Sequence, residues 1–177
     1  MANSTFKKTF EPAFLYGGIT GGVIVLHSII LYSLDISFSV YAQIMGYVLP
    51  VILLFLVLLL YRKEYLGGIM TYSQSLGMGV LIMVVAGIIG GVYTYIFMKY
   101  IDPEFIKVIV QMQEEKMIEK GMDEATIEKA MEFTEKMRSV GAITILGFVS
   151  STFMGAVLSA ILSIFLKKEP KDPFAAV

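Results

Sequence analysis

The sequence predicts an all-α fold, a four-helix transmembrane bundle with an extracytoplasmic helical hairpin between spans three and four. Three observations predict it. Of 177 residues, 56% are hydrophobic and 16% charged, whereas a soluble domain has about 45–50% and about 25%. Four runs free of Asp, Glu, Lys and Arg each reach the ~20 residues that a helix needs to cross a bilayer. The charges that remain sit in the flanks and connections; the apolar-rich, charge-poor composition also excludes a disordered chain.

The first run covers residues 14–34, 21 in all, and follows Lys7 and Lys8. It exceeds the ~7–15 residue apolar core of a signal peptide and no A-x-A-like site follows, so it reads as a retained span. The second run, 41–61, is also 21 residues long; the third, 76–98, has 23, and the fourth, 140–166, has 27. In hydrocarbon each backbone must satisfy its own hydrogen bonds, so these β-branched runs should be helical. They lack the sustained period-two alternation of a membrane barrel. Pro50 is a possible kink point in the second.

Charge placement sets an expected topology. Lys7 and Lys8 precede span one, Arg62 and Lys63 follow span two, and Lys167, Lys168 and Lys171 follow span four. The first connection, 35–40, has only Asp35. Cationic flanks stay in the cytoplasm, which places both termini and the Arg62 loop inside. The third connection then faces out, although it carries seven bases, outnumbered by ten acids.

Within that connection, which begins at Lys99, residues 102–138 read as two helices. Asp102 caps the first, with Pro103 at its first helical position and Ile101 and Ile106 as a hydrophobic staple. Gly121 ends it, with Met122 reaching back to Met117 in a Schellman arrangement. Asp123 caps the second, with Met122 and Ile127 as its staple. Phe105, Ile109 and Met112 form one apolar stripe and Ile127, Met131 and Thr134 another. Glu114, Glu115, Glu119, Glu128, Glu132 and Glu135 lie opposite or beside them and are the candidate interaction surface. A solvated connector with a self-packed seam explains them equally well.

Small residues offer further candidates. Gly17, Gly18, Gly21 and Gly22 make two overlapping G-x-x-x-G pairs on span one; Gly87 and Gly91 make another on span three. Ser151, Gly155, Ser159 and Ser163 form a track on span four. Such residues let helices approach closely, within one chain or between copies. His27 is the only histidine and a candidate intramembrane polar site, either a proton relay or a partner of Ser28, Ser33 or Ser151. Ser150 and Ser151 do not stand in a G-x-S-x-G string, so no hydrolytic pair is expected.

With no cysteine and one histidine, no metal, cofactor or catalytic residue is predicted. Met112, Met117, Met122, Met131 and Met137 read as seam filler rather than a thioether metal site. Spans without carboxylates argue against ion-coupled transport. A net charge of −1 offers no general basic field for nucleic acid. Loop 61–74, with Arg62, Lys63, Gly67, Gly68 and several tyrosines, suits a membrane surface and lacks a Walker pattern.

Residues 64–68, Glu-Tyr-Leu-Gly-Gly, together with residues 100–105, Tyr-Ile-Asp-Pro-Glu-Phe, resemble domain-of-unknown-function family 4199. A Gly-rich first span and a last span ending in Lys-Lys extend the likeness over nearly the whole chain. The resemblance implies a small bacterial inner-membrane protein with four spans, and brings no catalytic residues. The expected function is non-enzymatic, an assembly or interaction module in the lipid bilayer, meeting a second copy or another membrane protein. The alternative is a small transport or permeation component acting as an oligomer.

Overall fold

A computed structural model describes residues 2–136 and 138–168, with side chains described for 9–135 and 138–168. Met137 and Lys171 lie outside the described residues, as do the side chains of Lys7 and Lys8. The chain is all-α: α1 Ala2–Ser33, α2 Val40–Glu64, α3 Tyr72–Ile96, α4 Phe105–Glu119, α5 Glu124–Lys136 and α6 Val140–Leu166, with a π-helical turn at Phe97–Ile101. Four segments are long and apolar enough to cross a membrane: Thr9–Ser33, Val40–Glu64, Tyr72–Ile101 and Val140–Leu166. The chain divides into two compact units, Met1–Gly90 with Val149–Val177, and Gly91–Phe148.

In the first unit, α1 ends in a left-handed residue, Asp35 at φ 55°. The N–H of Ile36 donates to Leu31 O at 3.0 Å and that of Asp35 to Tyr32 O at 3.0 Å, which satisfies carbonyls that the helix end would orphan. Ser39 starts α2 by accepting the Ala42 N–H at 3.1 Å. α2 then runs through Pro50 to Glu64. The turn after it uses Gly67 at φ 62° and Gly68 at φ 92°, a region that a side chain resists. Thr71 and Gln74 open α3 with a reciprocal capping box: Thr71 N–H donates to Gln74 Oε1 at 2.9 Å, and Gln74 N–H to Thr71 Oγ1 at 3.3 Å. These bonds start α3 four residues before the uncharged run counted from sequence.

The core of this unit joins Ala13 and Tyr16 of α1, Leu54, Val57, Leu58 and Tyr61 of α2, Met70 of the loop, Met78, Ile82 and Met83 of α3, and Leu166 of α6. Its tightest contacts involve residues with almost no side chain. A Cβ on Gly17 would stand 2.6 Å from Val85 Cβ, and one on Gly21 would stand 3.0 Å from both Ala86 Cα and Ile89 Cβ. Contacts that advance by four on both helices, Gly17 to Val85 and Gly21 to Ile89, mean that α1 and α3 run parallel. Against α6, α3 is antiparallel. A Cβ on Gly79 would lie 2.5 Å from Ser159 Oγ, and one on Gly155 would lie 2.5 Å from Met83 Cβ. The same register sets Ser75 opposite Ser163, both fully buried, and closes with Met70 and Lys168 paired through their backbones.

In the second unit, the Asp102 N–H donates to Phe97 O at 2.9 Å, which closes the π turn. Asp102 Oδ1 accepts the Phe105 N–H at 3.1 Å, as expected of a cap. At the far end of α4, Gly121 has φ 68°. Met122 N–H donates to Met117 O at 3.2 Å and Gly121 N–H to Ile118 O at 2.9 Å, the expected Schellman pair. Asp123 caps α5 by accepting the Thr126 N–H at 3.0 Å.

The stripe expected on α4 is half-buried at Phe105 and Met112 and is corrected at Ile109. Ile106 is its buried residue, 7% exposed, while Ile109 is 36% exposed; Val110 and Met117, on the Ile106 side, are half-buried. Apolar residues surround the first two turns of α4, so periodicity alone left two faces available. Tertiary packing decides, because Ile106 joins Phe97 and Met98 in a cluster and Phe105 meets Phe97 edge-on at 5.1 Å. Ile101, the expected staple partner, is 56% exposed. On α5, Ile127, Met131 and Thr134 are half-buried as expected.

Gly155→Leu should destabilise the protein by about 1–3 kcal/mol, the usual cost of overpacking, in denaturant titrations in detergent micelles. Gly147→Leu, where a Cβ meets nothing within 4 Å, should stay within about 0.5 kcal/mol. Equal losses would contradict the packing described.

Candidate functional site

The glycines of α1 divide by face. Gly17 and Gly21 are buried against α3, whereas a Cβ on Gly18 or Gly22 would meet nothing within 4 Å. Leu15, Ile19 and Leu26 are exposed beside that open pair. Helical periodicity dictates the division: neighbours in sequence lie about 100° apart, so overlapping pairs cannot serve one partner. Of the other small residues, Gly155 is buried, Gly87 is half-buried, and a Cβ on Gly91 would meet Thr144 at an ordinary 3.6 Å.

His27 is half-buried, with its ring 6.4 Å from that of Tyr41. Its Nε2 is buried without a hydrogen-bond partner. Two of the expected partners are engaged elsewhere, since Ser28 donates to Ile24 O at 3.1 Å and Ser33 to Ile29 O at 2.8 Å. Thr20 Oγ1, Ser75 Oγ and Ser163 Oγ are likewise buried without partners. Ser159 shows how a buried hydroxyl can satisfy itself, by donating to Gly155 O at 2.7 Å. Among the described residues, no group of three or more His, Asp or Glu could hold a metal ion.

Glu114, Glu115, Glu119, Glu128, Glu132 and Glu135 are all exposed. Glu135 is held by Arg138 at 2.9 Å, an exposed i,i+3 pair of small energetic weight.

A polar cluster that sequence reasoning missed lies at one end of the first unit. Tyr16 donates its hydroxyl to Glu64 Oε2 at 2.6 Å. Tyr65 stacks on Tyr61 at 5.8 Å and meets Tyr16 edge-on at 6.2 Å. Arg62 Nη1 donates to Leu166 O at 3.0 Å, so a cation meets the last carbonyls of α6, where the helix dipole favours it. Met70 and Lys168 exchange backbone hydrogen bonds of 3.0 and 2.8 Å. Together these tie α1, α2, the Gly67–Gly68 turn and the end of α6. Periodicity could not find the cluster, because its members are up to 104 positions apart. Next to it, Leu56, Leu59, Leu60, Arg62, Lys63, Gly68 and Lys168 line a groove of about 520 Å³.

Four apolar helices, small-residue contacts between them and a cation-rich end fit a multi-pass membrane protein. The chain matches the family described as protein of unknown function (DUF4199) over residues 15–168 and belongs to that family, as residues 64–68 and 100–105 led us to expect. No curated protein and no solved structure matches it.

Tyr16→Phe and Glu64→Gln, combined in a double-mutant cycle, should show a coupling of about 1 kcal/mol in micelle unfolding, toward the lower end for a hydrogen bond to a charged group because Glu64 is exposed. Additive losses would mean that the bond contributes nothing.

Proposed function

We propose that this chain is a non-enzymatic membrane protein of the bacterial inner membrane that assembles with a second copy through α1. The observation that carries the reading is the open Gly18–Gly22 pair, flanked by exposed Leu15, Ile19 and Leu26. A G-x-x-x-G pair on an apolar helix lets a second backbone approach closely, and hydrocarbon supplies no other strong drive to association. Its twin, Gly17–Gly21, is already used inside the chain, so the two functions fall on different faces.

In this reading both termini and the Arg62 loop are cytoplasmic. Support comes from the pairing of the Arg62 and Lys63 turn with Lys167 and Lys168, which gathers cations at one end. Residues 102–138 then form an extracytoplasmic hairpin, and its six exposed glutamates face a further membrane protein.

Two neighbouring substitutions separate assembly from folding. Gly22→Leu should abolish the crosslinked dimer in native membranes while leaving thermal stability unchanged. Gly21→Leu, in contact with Ala86 and Ile89, should destabilise the monomer. A dimer that survives Gly22→Leu would refute the proposal. Ion flux through proteoliposomes, lost in Gly87→Leu or His27→Ala, would replace it with a permeation role.

A further inference from the structure

The groove beside Arg62 combines two chemistries. On one side, Leu56, Leu59 and Leu60 give an aliphatic wall along the last turns of α2. Arg62, Lys63, Gly68 and Lys168 complete its lining. Among the described residues no carboxylate is paired with any of these three cations; Glu64, next to Lys63, accepts the Tyr16 hydroxyl, and Glu169, next to Lys168, lies outside the described residues.

Two of these residues are tethered. Arg62 is anchored on Leu166 O, and the backbone of Lys168 is pinned to Met70. The carbonyls of α6 balance part of the Arg62 charge, so the two lysines are the cations with no side-chain partner among the described residues. An ordinary cytoplasmic flank needs only the presence of such charges. Here they arrive from two separate segments and converge on one cavity, whose wall is apolar and belongs to a membrane-crossing helix.

We propose that this groove binds one anionic phospholipid. The phosphate is held by Lys63, Lys168 and the outward N–H groups of Arg62, and the start of an acyl chain lies on Leu56, Leu59 and Leu60. Arginine and lysine are suited to phosphate oxygens, the first as a fork of donors and the second as a point charge. The volume, about 520 Å³, accommodates a headgroup and the first part of a chain, with the remainder in the bilayer. The inference is independent of the assembly reading, because α1 does not line the groove.

The test uses the full-length protein in detergent and native mass spectrometry with added phosphatidylglycerol or phosphatidylcholine. The unaltered chain should retain one phosphatidylglycerol and no phosphatidylcholine, a selectivity that needs no variant to fold. Lys63→Gln with Lys168→Gln should weaken phosphatidylglycerol roughly thirtyfold, from about fivefold per lysine charge near an anionic headgroup. Lys116→Gln with Lys120→Gln, which removes the same charge elsewhere, should leave binding unchanged. Leu60→Gln should weaken the lipid too, and millimolar inorganic phosphate should not displace it. Equal retention of the two lipids, or equal affinity in the two double variants, would overturn the proposal. So would displacement by phosphate with Leu60→Gln without effect, which would make the groove a site for free phosphate.

Discussion

Everything in the first unit depends on backbones coming closer than side chains normally permit. Gly17 and Gly21 bring α1 onto α3, while Gly79 and Gly155 bring α3 onto α6. Lipid tails are as apolar as leucine, so burying leucine cannot drive these helices together as it would in water. Dispersion between closely packed atoms must do so, and each contact is worth only ~0.1–0.2 kcal/mol. Removing the Cβ lets many such contacts form along the helices. The reciprocal placement, a glycine of α3 against Ser159 and a glycine of α6 against Met83, also fixes the antiparallel register.

That register explains the polar features around it. Ser75 falls opposite Ser163, and the last step brings Lys168 beside Met70 and the end of α6 within reach of Arg62. The hydrogen bonds at that end therefore lock a geometry that small residues establish. They also bring Arg62, Lys63 and Lys168 around an aliphatic groove. The α1 glycines show the same economy, with one pair spent inside the chain and its neighbour facing outward.

Much of this was legible in the sequence. Four uncharged runs gave the all-α class, because a hydrocarbon environment leaves few alternatives. Asp102, Gly121 and Asp123 specified their caps, since capping depends on residues within a few positions of one another. The T-x-x-Q box at Thr71 is equally local but lies just ahead of the uncharged run, so a count of uncharged residues does not include it. Other features were not local. Phe97 and Met98 chose which face of α4 is buried, and the choice between Gly17–Gly21 and Gly18–Gly22 was made by the position of α3. The Arg62 contact with Leu166 depends on the full return of α6, which no window of sequence contains.

The close α3–α6 register is tested most directly by cysteine pairs in a chain that has no cysteine of its own. Ser75→Cys with Ser163→Cys should form an intramolecular disulfide under mild oxidation in membranes. Ser75→Cys with Ile161→Cys, whose second position is exposed, should not. A disulfide in the second pair but not in the first would contradict the packing from which the rest of the structure follows.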